Sequence, residues 1–210
     1  MASKTEIEEI PQTRVRGADI KNILADWASN PMRRPRIAKV IINLSTGASG
    51  EVLKKAATVV ELLSHQKPTY GRAKRSIKEF NIRKHENISA IVTMRGKKAV
   101  NFIRRVLVTT DNRILYKSFD NYGNVSLGIK EHIQLPNEDM RGNVKYDPEL
   151  GIFGFNINIK LERPGFRVKN RRKFRHKIGK NQYITKAEAE LFMEREFKVE
   201  LVDKMEQRFY

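Results

Sequence analysis

"FGFNINIKL" spans Phe153 to Leu161. Phe153, Phe155, Ile157, Ile159 and Leu161 alternate with Gly154, Asn156, Asn158 and Lys160. A period of two sends the apolar side chains to one face of an extended strand and the small or polar ones to the other. Such one-sided alternation predicts an antiparallel sheet with one covered face. A parallel sheet, buried on both sides, reads as a continuous apolar run.

The same pattern recurs upstream. In "RIAKVIINLST" (36–46), Ala38, Val40, Ile42 and Leu44 point one way, and Lys39, Ile41, Asn43 and Ser45 the other. In 88–95, Ile88, Ala90, Val92 and Met94 oppose Ser89, Ile91, Thr93 and Arg95. Helical spacing separates the strands. Ile20, Ile23, Leu24 and Trp27 form one stripe, stopped at Asn30–Pro31 because the residue before proline avoids the α region. Val52, Ala56, Val59, Val60 and Leu63 form a second, and Ala99, Phe102, Ile103, Val106 and Leu107 a third. Residues 119–133 read as one or two short strands, and 134–151 as a polar loop. Thr185 and Glu188 make a capping box for a last helix to about Phe197. The expected fold is α+β: a mainly antiparallel sheet with helices packed on one face and the other face free. No repeat or linker divides the chain. The expected division is an extension over 1–16, one domain over 17–198 and a charged tail over 199–210.

The charge says what the free face is for. Of 210 residues, 42 are Lys or Arg against 24 acids, for a net charge of +18. That excess calls for a polyanion, and 40% hydrophobic residues exclude a disordered polycation. A membrane surface is disfavoured, because no basic helix is also strongly amphipathic and no apolar run is long enough to span. The opening "MASKTEIEEI" is polar and acidic, unlike a secretory signal. The absence of cysteine excludes disulfides and Cys-ligated zinc. Lys39, Asn43, Ser45, Thr93 and Arg95 offer donors and acceptors suited to phosphate, ribose and base edges. "MRRPR" (Arg33, Arg34, Arg36) precedes the first of these strands, and "GRAKRSIK" (Arg72, Lys74, Arg75, Lys78) approaches the second. Residues 71–81 lack a period and read as an exposed basic loop. Residues 164–182 carry eight Lys or Arg and no acid. Such a run repels itself without a phosphate partner, so backbone contacts are expected from Arg167, Arg171, Arg172, Lys173 and Arg175.

Other chemistries are weaker. The glycines of "STGASGEVLKK" (45–55) lack the spacing and Lys-Ser/Thr ending of a phosphate loop, and read as a turn and helix start. "GIFGFNINI" lacks the basic residue of an RNA-recognition strand, and its aromatics share the apolar face. His65, His85, His132 and His176 have no metal-ligand spacing. Asp120, Glu131 and Glu162 lie on different segments, with nothing to make them converge on a metal. The reading is therefore a binding protein with no catalytic residues, metal or cofactor. A nucleic-acid-processing enzyme and a non-ribosomal RNA-binding protein are the alternatives.

"NPMRRPRIAKVIINLSTGASG", "LLSHQKPTYGRAKRSIKEFNIR", "ISAIVTMRG", "GIKEHI" and "YDPELGIFGFNINIKLERPGFRV" occur in that order. Together they resemble the large-subunit ribosomal protein family numbered five, which binds 5S ribosomal RNA, in its archaeal and eukaryotic branch. The resemblance runs from about Asn30 to about Phe197. It implies an α+β sandwich whose concave sheet face holds 5S RNA in the central protuberance of a cytoplasmic ribosome. Asn43 matches the asparagine of the first strand motif, Gln66 the glutamine of the "GQ-x-P" turn and Thr93 the threonine of "VT-x-RG". The 5S RNA set is then Arg33, Arg34, Arg36, Lys39, Asn43, Ser45, Gln66, Lys67, Thr69, Thr93 and Arg95. The family's loop at Gly71–Asn81 reaches peptidyl-site transfer RNA, which implies contacts from Arg72, Lys74, Arg75, Ser76 and Lys78. Further implied partners are 23S-type ribosomal RNA, neighbouring protuberance proteins and a small-subunit head protein across an intersubunit bridge. Three positions depart from the pattern: His65 and Asn81 stand at family glycines, and Asn156 replaces an acid.

Overall fold

The computed structural model describes residues 17–137 and 142–203. The expected extension over 1–16 lies outside them. The elements in order are α1 (Gly17–Ser29), β1 (Arg36–Ser45), α2 (Glu51–Ser64), β2 (Thr69–Arg72), β3 (Asn87–Met94), α3 (Gly96–Thr109), β4 (Arg113–Leu115), β5 (Asn124–Ile129), β6 (Phe155–Glu162), α4 (Arg167–Asn170), α5 (Lys186–Phe197) and β7 (Glu200–Val202). Five strands form one antiparallel sheet in the order β2-β3-β1-β6-β5. Helix α2 lies on β3 and β1, and α3 on β1.

The expected strands supply the core. Val40, Ile42 and Leu44 of β1, Ala90, Val92 and Met94 of β3, and Phe155, Ile157, Ile159 and Leu161 of β6 are all buried. Ala99, Phe102, Ile103, Val106 and Leu107 of α3 close over them. Full burial of one such aliphatic side chain stabilises by roughly 1.5–3 kcal/mol. The capping box opens α5: the Thr185 hydroxyl accepts from Glu188 N–H at 3.4 Å, and the Glu188 carboxylate accepts from Thr185 N–H at 3.0 Å. Among the described residues, no helix is long and apolar enough to cross a membrane.

Several local expectations are corrected. Ala38 does not continue the core alternation of β1. The register shifts between Ile37, which pairs with Leu161, and Lys39, which pairs with Lys160. The shift turns Ile37 toward the core side and Arg36 to the free face, opposite Glu162. In α2, Val52 is exposed and Leu53 buried, so the stripe runs Leu53, Ala56, Ala57, Val59, Val60 and Leu63. The polar loop from residue 134 begins inside the core: Leu135 is buried, and Arg105 donates to the Pro136 carbonyl at 2.8 Å and the Leu63 carbonyl at 3.2 Å. Of the tail expected over 199–210, residues 204–210 lie outside the described residues, and its first residues are part of the fold. Val199 is buried, and β7 pairs in parallel with β4.

Candidate RNA interface

The side of the sheet away from α2 and α3 is not apolar. Strand register gives its rows. Thr69, Ile91, Asn43, Asn156 and Gly128 lie side by side across all five strands. Thr93, Ile41, Asn158 and Ser126 form the next row. Lys39, Lys160 and Asn124 form the third, with Arg36 beyond them. Gly71, Ser89 and Ser45 lie on the opposite side of the first row. Gly71 packs closely there: a Cβ would stand 2.3 Å from the Ser89 hydroxyl, which would have to turn away. The centre of the face is thus amide and hydroxyl groups interleaved with Ile41 and Ile91, and cations collect at one end. Cations attract a phosphate backbone from a distance, while neutral amides and hydroxyls select among bases and sugars at contact.

These central groups are ordered by the sheet. The Ser126 hydroxyl donates to Asn158 Oδ1 at 2.9 Å. Asn43 Oδ1 is enclosed and has no hydrogen-bond partner within the described protein. An enclosed amide oxygen without a donor is costly.

The loop expected over 71–81 is an ordered hairpin extension of β2 and β3. Arg72 closes β2 and pairs with Asn87. Ala73 and His85 are joined by a backbone bond of 2.9 Å, and Ile77 and Ile82 exchange backbone bonds of 2.9 and 3.1 Å. Asn81 takes a left-handed φ of 52° at the tip, which asparagine tolerates better than most residues. Ser76 accepts from Lys84 N–H at 2.9 Å, so its hydroxyl braces the tip. Arg72, Lys74, Arg75, Lys78 and Phe80 are exposed on this hydrogen-bonded arm. At its base, Glu86 accepts from Arg83 N–H at 2.7 Å and from the Ser49 hydroxyl. These bonds hold its carboxyl below the usual range.

The remaining sequence-derived site residues separate. Lys39, Asn43, Ser45, Thr69 and Thr93 are on the free face, and Arg95 continues its alternation one residue past β3. Gln66 and Lys67 lead into β2 beside the left-handed His65, whose φ is 49°. Arg33 and Arg34 are engaged elsewhere. Arg33 meets Asp26 at 2.7 Å, and Arg34 pairs with Glu196 of α5. In the second basic stretch, Arg167, Arg172, Lys173 and Arg175 are exposed, while Arg171 donates to the Phe174 carbonyl at 2.6 Å. The candidate acids are committed locally: Asp120 to Asn121 and Asn124, Glu131 to Gln134, Glu162 to Lys160. Sequence reasoning missed Asn124, Ser126, Asn156, Asn158 and Lys160 as site residues. Alternation had put the last three off the core, but only the strand order places them beside Asn43.

A hydrogen-bonding sheet face with cations at one end, together with a braced basic arm, suits an RNA-binding protein. The comparisons make this particular. The family described as Ribosomal protein L5 matches residues 30–83, and the model for the C-terminus of the same ribosomal family matches 87–199. The chain is 44% identical over 203 residues to "Large ribosomal subunit protein uL5" of Aeropyrum pernix, covering 96% of this chain and 100% of that one. The protein of the same name from Pyrobaculum aerophilum is 49% identical over 166 residues, 79% of this chain and 89% of the relative. That of Chlamydomonas reinhardtii is 40% identical over 166 residues, 79% and 94% of the two chains. The chain belongs to the ribosomal protein L5 family, whose members are structural, RNA-binding ribosomal proteins rather than enzymes.

Proposed function

We propose that this protein is a structural component of the large ribosomal subunit that seats 5S ribosomal RNA on the free face of its sheet. The observation that carries the reading is the five-strand row Thr69–Ile91–Asn43–Asn156–Gly128, bordered by Arg36, Lys39 and Lys160. Asn43, Ser45, Thr69 and Thr93, joined by Asn156 and Asn158, meet ribose and base edges, and Arg36, Lys39 and Arg95 meet phosphates. Gln66 and Lys67 extend the contact past β2. Arg33 and Arg34 take part only by giving up Asp26 and Glu196. The hairpin arm reaches peptidyl-site transfer RNA through Arg72, Lys74, Arg75, Ser76 and Lys78. Arg167, Arg171, Arg172, Lys173 and Arg175 hold the backbone of the larger ribosomal RNA. Neighbouring proteins of the central protuberance and a small-subunit head protein complete the partners of the cytoplasmic ribosome.

The test is a titration against 5S RNA and an unrelated structured RNA over a range of salt. Charge alone gives a steep salt dependence and similar affinities for both. The expected result is a preference for 5S RNA that survives at high salt. Equal binding at every salt would reduce the protein to a promiscuous polycation.

A further inference from the structure

At the β5–β6 end of the free face lies a pocket of about 320 Å³ that the sequence motifs do not mark. Its walls include Tyr122, Asn124, Lys160, Phe166, Lys169 and Tyr183. Asn124 and Lys160 belong to the third row of the sheet face, so the pocket continues that surface. The three rings form an edge-to-face chain: Phe166 to Tyr183 at 5.7 Å and Tyr183 to Tyr122 at 5.9 Å between centroids.

The lysines set the charge of the pocket. Lys169 Nζ donates to the Tyr183 hydroxyl at 3.1 Å and sits 4.9 Å from that ring's centroid and 5.5 Å from that of Phe166. Lys160 Nζ lies 5.4 Å from the Phe166 centroid and 2.7 Å from Glu162 Oε1. Two ammonium groups against one carboxylate disfavour a cationic guest, although aromatic boxes often serve cations. They suit an anionic guest with a flat apolar part.

Tyr122 supplies the flat surface, with 63% of its area exposed. It is also held in place. The turn carrying it is closed by Asp120, whose N–H donates to the Asn124 carbonyl at 2.9 Å. The Asp120 carboxylate accepts from Asn121 N–H at 2.7 Å and from Asn124 Nδ2 at 3.1 Å. Gly123 has φ +73°, and a Cβ on it would stand 2.7 Å from Ile184 Cγ2. The turn is therefore pressed onto Ile184, the residue after Tyr183. A preorganised exposed ring loses little entropy when a base stacks on it. Asn124 gives one N–H of its Nδ2 to Asp120 and keeps its side-chain oxygen as an acceptor for a base edge.

We propose that this pocket receives one unpaired nucleotide of the bound RNA, with the base stacked on Tyr122, its edge on Asn124 and a phosphate between Lys160 and Lys169. The proposal rests on the RNA-binding reading above and adds a single-strand subsite to it. The test uses the full chain and fluorescence anisotropy with labelled hexauridylate, hexaadenylate and a short RNA duplex. Stacking on one ring is worth about 1–3 kcal/mol per base. Tyr122→Ala should therefore weaken both single strands by about tenfold with duplex binding unchanged, and Tyr122→Phe should stay near wild type. Thermal melting of each variant checks the fold. Single-strand affinities unchanged in Tyr122→Ala would overturn the proposal, as would an equal loss for duplex and single strand. Equal displacement of the oligonucleotide by hexaglutamate from wild type and Tyr122→Ala would reduce the pocket to a charge patch. A wild-type chain that binds none of the three RNAs would instead bring down the RNA-binding reading, and the subsite with it.

Discussion

The Arg163–Glu188 pair offers the most discriminating test of how α5 is attached. Both side chains are over nine-tenths buried, and the guanidinium pairs directly with the carboxylate. Arg163 also donates to the Asn181 carbonyl at 2.6 Å, while its Nε has no partner among the described residues. Glu188 has a second duty, accepting from Thr185 N–H in the capping box. Removing either charge leaves the other stranded out of water, which costs roughly 3–5 kcal/mol. Arg163→Met should destabilise by that amount. Glu188→Leu should cost the same plus about 1 kcal/mol for the lost cap. The double variant strands no charge, because two apolar side chains replace the pair. It should lose only the cap and the Asn181 bond, roughly 2–3 kcal/mol. In a domain of this size each kcal/mol shifts Tm by roughly 2–4 °C, so Arg163→Met should melt roughly 6–20 °C lower and Glu188→Leu roughly 8–24 °C lower. Urea titrations followed by circular dichroism measure all four proteins of the cycle. If the double variant loses as much as the two single variants together, the pair is not coupled and the argument fails.

Three further outcomes follow from the described geometry. Asn43→Ala and Thr93→Ala should weaken 5S RNA binding with little change in unfolding midpoint, since both lie off the core; gross destabilisation in urea would refute their placement. Neutralising Arg72, Lys74 and Arg75 should impair engagement of transfer RNA in a ribosome reconstitution and leave 5S affinity nearly intact, and a large drop in 5S affinity would assign the arm to the primary site. Burial lowers the pKa of His132, whose Nδ1 accepts from Phe153 N–H at 3.3 Å. Its neutral form is therefore favoured in the folded state. That contribution is complete above the ordinary histidine value of about 6.5 and is lost as pH falls from there toward the depressed folded pKa. The urea midpoint should accordingly fall more between neutral and acidic pH in wild type than in His132→Gln; equal falls would contradict it.

Much of the candidate face was legible one strand at a time. Asn43 and Thr93 sit opposite Ile42 and Val92 in the period-two pattern, so their place off the core needs no tertiary information. Asn156 and Asn158 were equally legible as off-core residues, but nothing local says that β6 lies beside β1. That adjacency is a contact between segments more than one hundred residues apart. Arg33 and Arg34 read as RNA ligands because their nearest sequence neighbours are basic. The acids that engage them, Asp26 and Glu196, are brought in by α1 and α5. In the same way Glu200 reaches Arg113 at 3.0 Å across the β4–β7 pair.

What the sequence by itself determined was every property set by the geometry of a single element. The core faces of β1, β3 and β6, the stripe of α3, the capping box at Thr185 and the net charge of +18 are of this kind. Side-chain direction repeats with the backbone period, so composition along one strand or helix suffices. Only the tertiary structure decided the strand order β2-β3-β1-β6-β5, the register shift at Ile37–Lys39 and the choice of Leu53 over Val52. It alone also decided which cations stay free for RNA and how Tyr122 comes to stand beside Tyr183. Each of these depends on which distant surface an element meets, and packing and charge pairing across that distance have no period for a sequence to display.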